Sequence, residues 1–187
     1  ISPPHQKEAA LARILEAEDS DGVLIFVKTK ASTEPLADFL TSQGHRAAAL
    51  SSDVAQKQRE RILDQLRTGA IDVIVATDVA ARGLDVQRIS HVINYDLPFD
   101  AESYVHRIGR TGRAGREGQA ILFLHPRERH MLERIERATR QTIPQMEVPS
   151  KRIINRQRVA KFHERITENL THPAMETFAS LLEQYRA

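Results

Sequence analysis

The 187-residue chain has no cysteine and no tryptophan, 41% hydrophobic residues, and 27 Lys/Arg against 25 Asp/Glu. That size suits one ordinary domain with a small appendage, and the absence of cysteine excludes disulfides and thiolate metal sites, while eight scattered histidines argue against any other metal centre. No apolar run approaches the ~20 residues of a membrane span and no signal peptide opens the chain, so a cytoplasmic protein with no membrane partner is expected.

In chain order, Ser2-Pro3-Pro4 reads as the end of a linker, and 6–18 as a helix with Ala10, Leu11, Ile14 and Leu15 on one face. After the turn at 19–22, the run 23–27 (Val-Leu-Ile-Phe-Val) is continuously apolar, the mark of a strand covered on both faces. Pro35 suits the first turn of a helix running to about Ser42 and ending at Gly44. A short strand at 47–50, a helix at 56–66 stopping at Gly69, and apolar strands at 72–76 and 91–95 follow. A helix at 101–108 leads into an arginine-glycine run, and 119–124 reads as a buried strand, the last of the set. Beyond it, 127–141 reads as a helix with Met131, Leu132, Ile135 and Ala138 inward. Pro144 and Pro149 bracket an extended segment. Val159, Phe162, Ile166 and Leu170 then form one helical stripe, and Met175, Phe178, Leu182 and Tyr185 a second beyond Pro173.

Short apolar strands alternating with helices predict an α/β fold, a parallel sheet with helices on both faces. The sheet domain is expected over 1–148, with a helical extension over 149–187. That extension either packs on its own domain or offers a partner or dimer surface. Ligands of such sheets sit at the carboxyl ends of the strands, where Thr29-Lys30, Thr77-Asp78 and the loop near Asp96 should lie. Each of these residues could equally be a turn or capping residue.

Charge is unevenly spread. Residues 1–100 carry 11 Lys/Arg against 15 Asp/Glu, and residues 101–165 carry 15 against 7. Such asymmetry points to a polyanion partner, nucleic acid or nucleotide. With aromatics at 5%, backbone contact is favoured over base stacking.

The densest feature is the run 106–116, with arginines at 107, 110, 113 and 116 and glycines at 109, 112 and 115. Arginine presents a permanently charged fork of donors that matches phosphate. Arg-Gly repeats also occur as flexible nucleic-acid tails. This run lies between a helix and a strand without a linker, which favours a loop of the fold. Yet no Gly-x-x-x-x-Gly-Lys-Ser/Thr loop occurs, and no strand ends in paired acids suited to Mg²⁺. The arginines suit phosphoryl transfer, but the rest of such a site is missing, as in half an enzyme completed by a second domain.

These residues carry a resemblance. The segment 106–113 (His-Arg-Ile-Gly-Arg-Thr-Gly-Arg) resembles motif VI of DEAD-box RNA helicases, 76–86 resembles their motif V, 24–30 their motif IV, and Gln56 with Arg59 their Gln-x-x-Arg motif. The resemblance covers about residues 20–125 and implies the C-terminal RecA-like lobe of an ATP-dependent RNA helicase. It implies Arg110 and Arg113 as γ-phosphate contacts, with Arg113 the arginine finger, and Gly83 and Asp85 near the nucleotide. It implies Thr29, Lys30, Asp53, Arg59 and Thr77 at the RNA backbone, with Arg59 alternatively bracing motif V. Arg82 is either a phosphate-side contact or an internal salt-bridge partner, and His106 touches the other lobe. The implied cofactor is ATP, with Mg²⁺ held mainly by the N-terminal lobe; the implied partners are RNA and that lobe. Ser52-Asp53 departs from the family's usual Gly-Asp, which puts the local RNA contact in doubt. The segment after residue 145 is similar to bacterial cold-shock helicases of the DeaD type, some of which carry a dimerisation element there. Two rivals remain: a non-catalytic RNA-binding module that kept the fold, and a DNA-directed lobe of the same superfamily.

Overall fold

The computed structural model describes residues 4–113 and 115–170. The chain divides into two units, 1–147 and 148–187. In the first, five strands form one parallel sheet: β1 (Val23–Phe26), β2 (Ala47–Leu50), β3 (Val73–Ala76), β4 (His91–Asn94) and β5 (Gln119–Leu122). Their spatial order is β2-β3-β1-β4-β5. Side chains alternate along β1. Leu24 and Phe26 join Ile62 and Leu66 of α3 (Gln56–Thr68) on one face. Val23, Ile25 and Val27 join Leu11 and Leu15 of α1 (Pro4–Ala17) and Leu36 and Leu40 of α2 (Thr33–Ser42) on the other. Every residue of β1 is therefore buried, which is why its sequence is apolar without interruption.

The register aligns the three central strands. Val23 pairs with Val73 and His91, and Phe26 with Ala76 and Asn94. The segments that follow β1, β3 and β4 thus leave the sheet at one level, on its carboxyl edge. The next helix, α4 (Ala101–Ile108), starts beside that edge because the Asp100 carboxylate caps it, accepting the Ser103 N–H at 2.7 Å.

Three expectations are corrected. The run 119–124 is not a buried strand: Gln119 and Ala120 are exposed and Ile121 and Leu122 only partly covered. β5 lies at one edge of the sheet and pairs with β4 alone. The helix expected over 127–141 begins as a 3-10 turn (Pro126–Glu128) and continues as α5 (Arg129–Thr139), ending at Arg140 in the left-handed region. Ala138 is exposed, leaving Ile135 as the buried residue of that helix.

In the second unit, α6 (Lys151–Leu170) is one helix of 20 residues. Its stripe of Val159, Phe162, Ile166 and Leu170 is exposed. Ser2 and Pro3, and the stripe expected from Met175 to Tyr185, lie outside the described residues. No helix among the described residues is long and apolar enough to cross a membrane.

Candidate functional site

The arginines of the 106–116 run have different tasks. Arg107, on the inner face of α4, is 3% exposed. Its Nε and Nη2 donate to the two carboxylate oxygens of Asp78 at 2.6 and 2.7 Å. Its Nη1 donates to the Asn94 side-chain oxygen at 3.2 Å and the Asp96 carbonyl at 2.7 Å. The guanidinium also lies 4.9 Å from the centre of the Phe26 ring. One side chain thereby ties the end of β1 to the segments following β3 and β4. Its hydrogen-bonding capacity is used inside the lobe.

Arg110 and Arg113 face outward on the next turns. Arg110 donates to the Leu84 carbonyl at 3.0 Å through one nitrogen. Burial and the neighbouring Arg113 charge pull its pKa below the ordinary arginine value, with Asp85 opposing. Arg113 is held by the Gly109 carbonyl at 2.8 Å and the Asp85 carboxylate at 2.6 Å. Gly83, φ 69°, sits exposed in the same turn as Asp85, and a side chain there would meet nothing within 4 Å. Arg116 is turned away, paired with Asp21 and the Gln87 carbonyl.

The loop that presents these arginines is closed on itself. Gly112 has φ 66°, and a Cβ on Gly118 would fall 2.4 Å from the Gly112 nitrogen and 2.6 Å from Thr111 Oγ1. Only hydrogen fits there. Thr111 Oγ1 in turn donates to the Ile89 carbonyl at 2.8 Å. The run is a built loop, which decides against the flexible-tail reading.

A pocket of about 230 Å³ opens beside this loop, lined by Phe26, Asp78, Ala81, Arg82, Ser103, His106, Arg107 and Arg110. It brings residues of motifs V and VI to one opening. His106 is exposed there. The pocket is smaller than the ~300–1,000 Å³ that encloses a drug-sized ligand. Its arginines suit the outer oxygens of a polyphosphate, and no phosphate-wrapping loop accompanies them. The residues therefore fit one side of a nucleotide.

The five residues expected at an RNA backbone fall into two groups. Thr29, Lys30, Asp53 and Thr77 lie along the carboxyl edge. Lys30 and Asp53, both exposed, pair at 2.8 Å, and that hydrogen bond holds the Asp53 carboxyl below its ordinary range. Thr29 shares a 2.6 Å hydrogen bond with Ser32, and Thr77 Oγ1 accepts the Ala80 N–H at 3.4 Å. Ser52 is exposed, 3.4 Å from an Asp53 oxygen. Arg59 differs: its two terminal nitrogens donate to the carbonyls of Ala80 and Arg82. It braces the motif V turn.

Sequence reasoning missed three contributors. Phe26 supplies the aromatic floor under Arg107. Ser103 lines the pocket three residues before His106, a helical spacing that could have revealed it. Lys7 reaches from α1 to Asp96 at 2.8 Å and lies 4.0 Å over the Tyr95 ring, while the other Asp96 oxygen accepts the Lys28 N–H. Burial, with Glu8 and Asp96 adding, pushes the Tyr95 phenol up to about 12. No sequence pattern marks so distant a pair. Among the described residues, no cluster of His, Cys, Asp or Glu is arranged to hold a metal ion.

A parallel sheet of this order, with motif V and VI segments converging at its carboxyl edge, is that of a RecA-like helicase lobe. The helicase conserved C-terminal domain family matches residues 6–115, and the RNA helicase DeaD dimerization domain matches residues 149–187. The chain belongs to the helicase conserved C-terminal domain family, in its DEAD-box branch. It is 56% identical over 180 residues to the ATP-dependent RNA helicase DeaD of Mycobacterium tuberculosis, a match covering 96% of this chain and 32% of that protein. The chain thus spans about a third of that relative's length. Among solved structures it is similar to the Escherichia coli DEAD-box protein SrmB bound to regulator of ribonuclease activity A, with TM-score 0.71 and 33% identity, covering 79% of this chain and 92% of that one. It is also similar to Saccharomyces cerevisiae Dbp5 bound to RNA and ADP BeF3, with TM-score 0.70 and 34% identity, covering 84% and 42%.

Proposed function

We propose that this lobe completes an ATP-dependent RNA helicase in the cytoplasm, supplying the arginine finger and part of the RNA surface for ATP-driven remodelling of RNA duplexes. The observation that carries this is the placement of Arg110 on the wall of a pocket, with Arg113 held beside it by Asp85, where no phosphate-wrapping loop accompanies them. Such arginines stabilise charge on a phosphate held by another lobe. Similarity to Dbp5, solved with RNA and a nucleotide analogue, supports the same reading.

Bound ATP, with Mg²⁺ held by the N-terminal lobe, supplies the scissile phosphoanhydride. Arg113 exchanges its Asp85 partner for the γ-phosphate when the lobes close, and Asp85 and Gly83 then face the nucleotide. Arg110 adds the second cation. His106, exposed at the pocket, meets the other lobe. Thr29, Lys30, Asp53 and Thr77 line the RNA backbone, and Arg59 acts as a positioning residue by holding the motif V turn that carries Thr77. Residues 149–187 form a homodimer through the exposed apolar stripe of α6.

Alone, the chain is expected to hydrolyse no ATP. Joined to its N-terminal lobe, it should hydrolyse ATP when RNA is added; absence of turnover would leave a non-catalytic RNA-binding module, and equal stimulation by DNA would make it a DNA-directed lobe. Thr77→Ala should weaken RNA stimulation of that joined protein, and an unchanged RNA response would remove Thr77 from the RNA edge.

A further inference from the structure

We propose that Asp96 is the positioning residue that sets the RNA edge of this lobe against its nucleotide pocket. This role rests on the helicase reading for what each edge binds.

Asp96 sits where β4 leaves the sheet. Along β4 the ladder to β1 is regular: the His91 N–H donates to the Gly22 carbonyl at 3.1 Å, and Phe26 pairs in register with Asn94. Parallel strands space their hydrogen bonds evenly, so Tyr95 is due to donate to the Phe26 carbonyl. Asp96 takes that place, one residue late, at 3.1 Å. A one-residue slip of this kind ends regular pairing and re-aims the side chain at that point.

Every hydrogen-bonding group of Asp96 is then used. Its N–H goes to the Phe26 carbonyl, and its carbonyl accepts Arg107 Nη1 at 2.7 Å. Its Oδ2 accepts the Lys28 N–H at 2.9 Å, and its Oδ1 accepts Lys7 Nζ at 2.8 Å. The carboxylate stands in for the main-chain acceptor that the slipped strand no longer offers to Lys28. A carboxylate suits the place because one oxygen serves a backbone donor while the other meets a cation.

These bonds divide by function. Lys28 opens the segment that carries Thr29 and Lys30, both exposed on the carboxyl edge. Arg107 lines the pocket beside Arg110 and grips Asp78. The Asp96 side chain therefore holds the RNA edge, and its main chain holds the pocket wall. Removing the side chain loosens the first and leaves the second in place.

The test uses the chain joined to its N-terminal lobe, with ATP turnover measured against rising concentrations of oligouridine. Asp96→Ala should raise the RNA concentration for half-maximal turnover about tenfold, the scale of a lost hydrogen bond to a charged acceptor. Turnover at saturating RNA should stay near the parent's, because the Arg107 bond is made to the main chain. Asp96→Asn keeps an acceptor for Lys28 and should restore most of the loss. Lys7→Met removes only the cation that orients the carboxylate and should raise the half-maximal concentration about threefold, the scale of a partly exposed ion pair. An unchanged half-maximal concentration in Asp96→Ala, a loss confined to turnover at saturating RNA, or an asparagine variant as impaired as the alanine one overturns the proposal. If Asp96→Ala does not fold, Lys7→Met decides, and no shift there overturns it. Hydrogen exchange on the chain by itself reads the same role without catalysis. In Asp96→Ala the Lys28 amide should exchange about tenfold faster, while the Val27 amide, held by the Ala76 carbonyl at 3.0 Å, should not change. Equal changes at both amides overturn the proposal. Absence of RNA-stimulated turnover in the parent two-lobed protein instead overturns the helicase reading, and the exchange result still decides whether Asp96 holds the edge.

Discussion

Two arginine-rich stretches of this chain behave in opposite ways. In 107–116 the arginines recur every third residue through a helix end and a glycine-broken loop, and each acquires a separate partner: Asp78, the Leu84 carbonyl, Asp85 and Asp21 in turn. In α6 the cations recur at helical intervals, and the row they form stays exposed. The difference shows that an arginine's task is set by the backbone path around it. A turn that changes direction at every glycine distributes its side chains over several neighbours. A straight helix repeats one environment.

The sharpest test of that contrast is Arg113→Ala in the chain joined to its N-terminal lobe. Turnover should fall by about 10³ or more, in the range of a lost arginine finger, with RNA affinity nearly unchanged; full turnover would reduce Arg113 to a loop brace. Next is Arg107→Ala, which leaves Asp78, Asn94 and the Asp96 carbonyl without their common donor. A urea unfolding curve should show a loss of about 3 kcal/mol, the lower end for breaking a buried charge pair because Asp78 is itself half exposed. Lys161→Gln or Arg165→Gln on α6 should stay within ~0.5 kcal/mol by the same measurement, and a comparable loss there would erase the distinction between the stretches.

Smaller effects sharpen the description of the loop. Gly118→Ala forces a Cβ against the Gly112 backbone and should cost about 1–3 kcal/mol; a neutral result would mean the loop opens easily. Arg116→Ala breaks only a half-exposed pair with Asp21, so ~1 kcal/mol or less is expected. The mildest effect concerns pH. Burial raises the Asp72 carboxyl, but hydrogen bonds from Arg88 and Arg46 outweigh it and hold it below its ordinary range. A depressed folded value means stability that is complete above the unfolded value of about 3.9 and lost as pH falls through the folded one. Asp72→Asn should flatten that acid limb in thermal melts, and an acid limb identical to the parent's would show that other carboxylates govern it.

Much of the fold was legible because buried parallel strands leave continuous apolar runs, as at 23–27, and because Gly69 marks the left-handed end of α3. The strand at 119–124 misled for the same reason: an apolar run does not reveal that its strand lies at the sheet's edge. The candidate residues on the carboxyl edge were legible as types, through Thr29, Thr77 and the arginine run. Their individual roles were not. Arg59 reads from the sequence as one more cation for RNA, yet its guanidinium is spent on two carbonyls of the motif V turn. Phe26 reads as core, and Lys7 as an ordinary helix charge.

By itself, the sequence determined the classes of element, their order, and the residue types that meet phosphate, because these follow from local periodicity and side-chain chemistry. Only the tertiary structure decided which arginine was buried under Asp78 and which was left at the pocket mouth. That depends on strands 50 residues apart in sequence ending level in one sheet, as Val23 and Val73 pair in register. A distance in space of that kind has no trace in the spacing of residues along the chain.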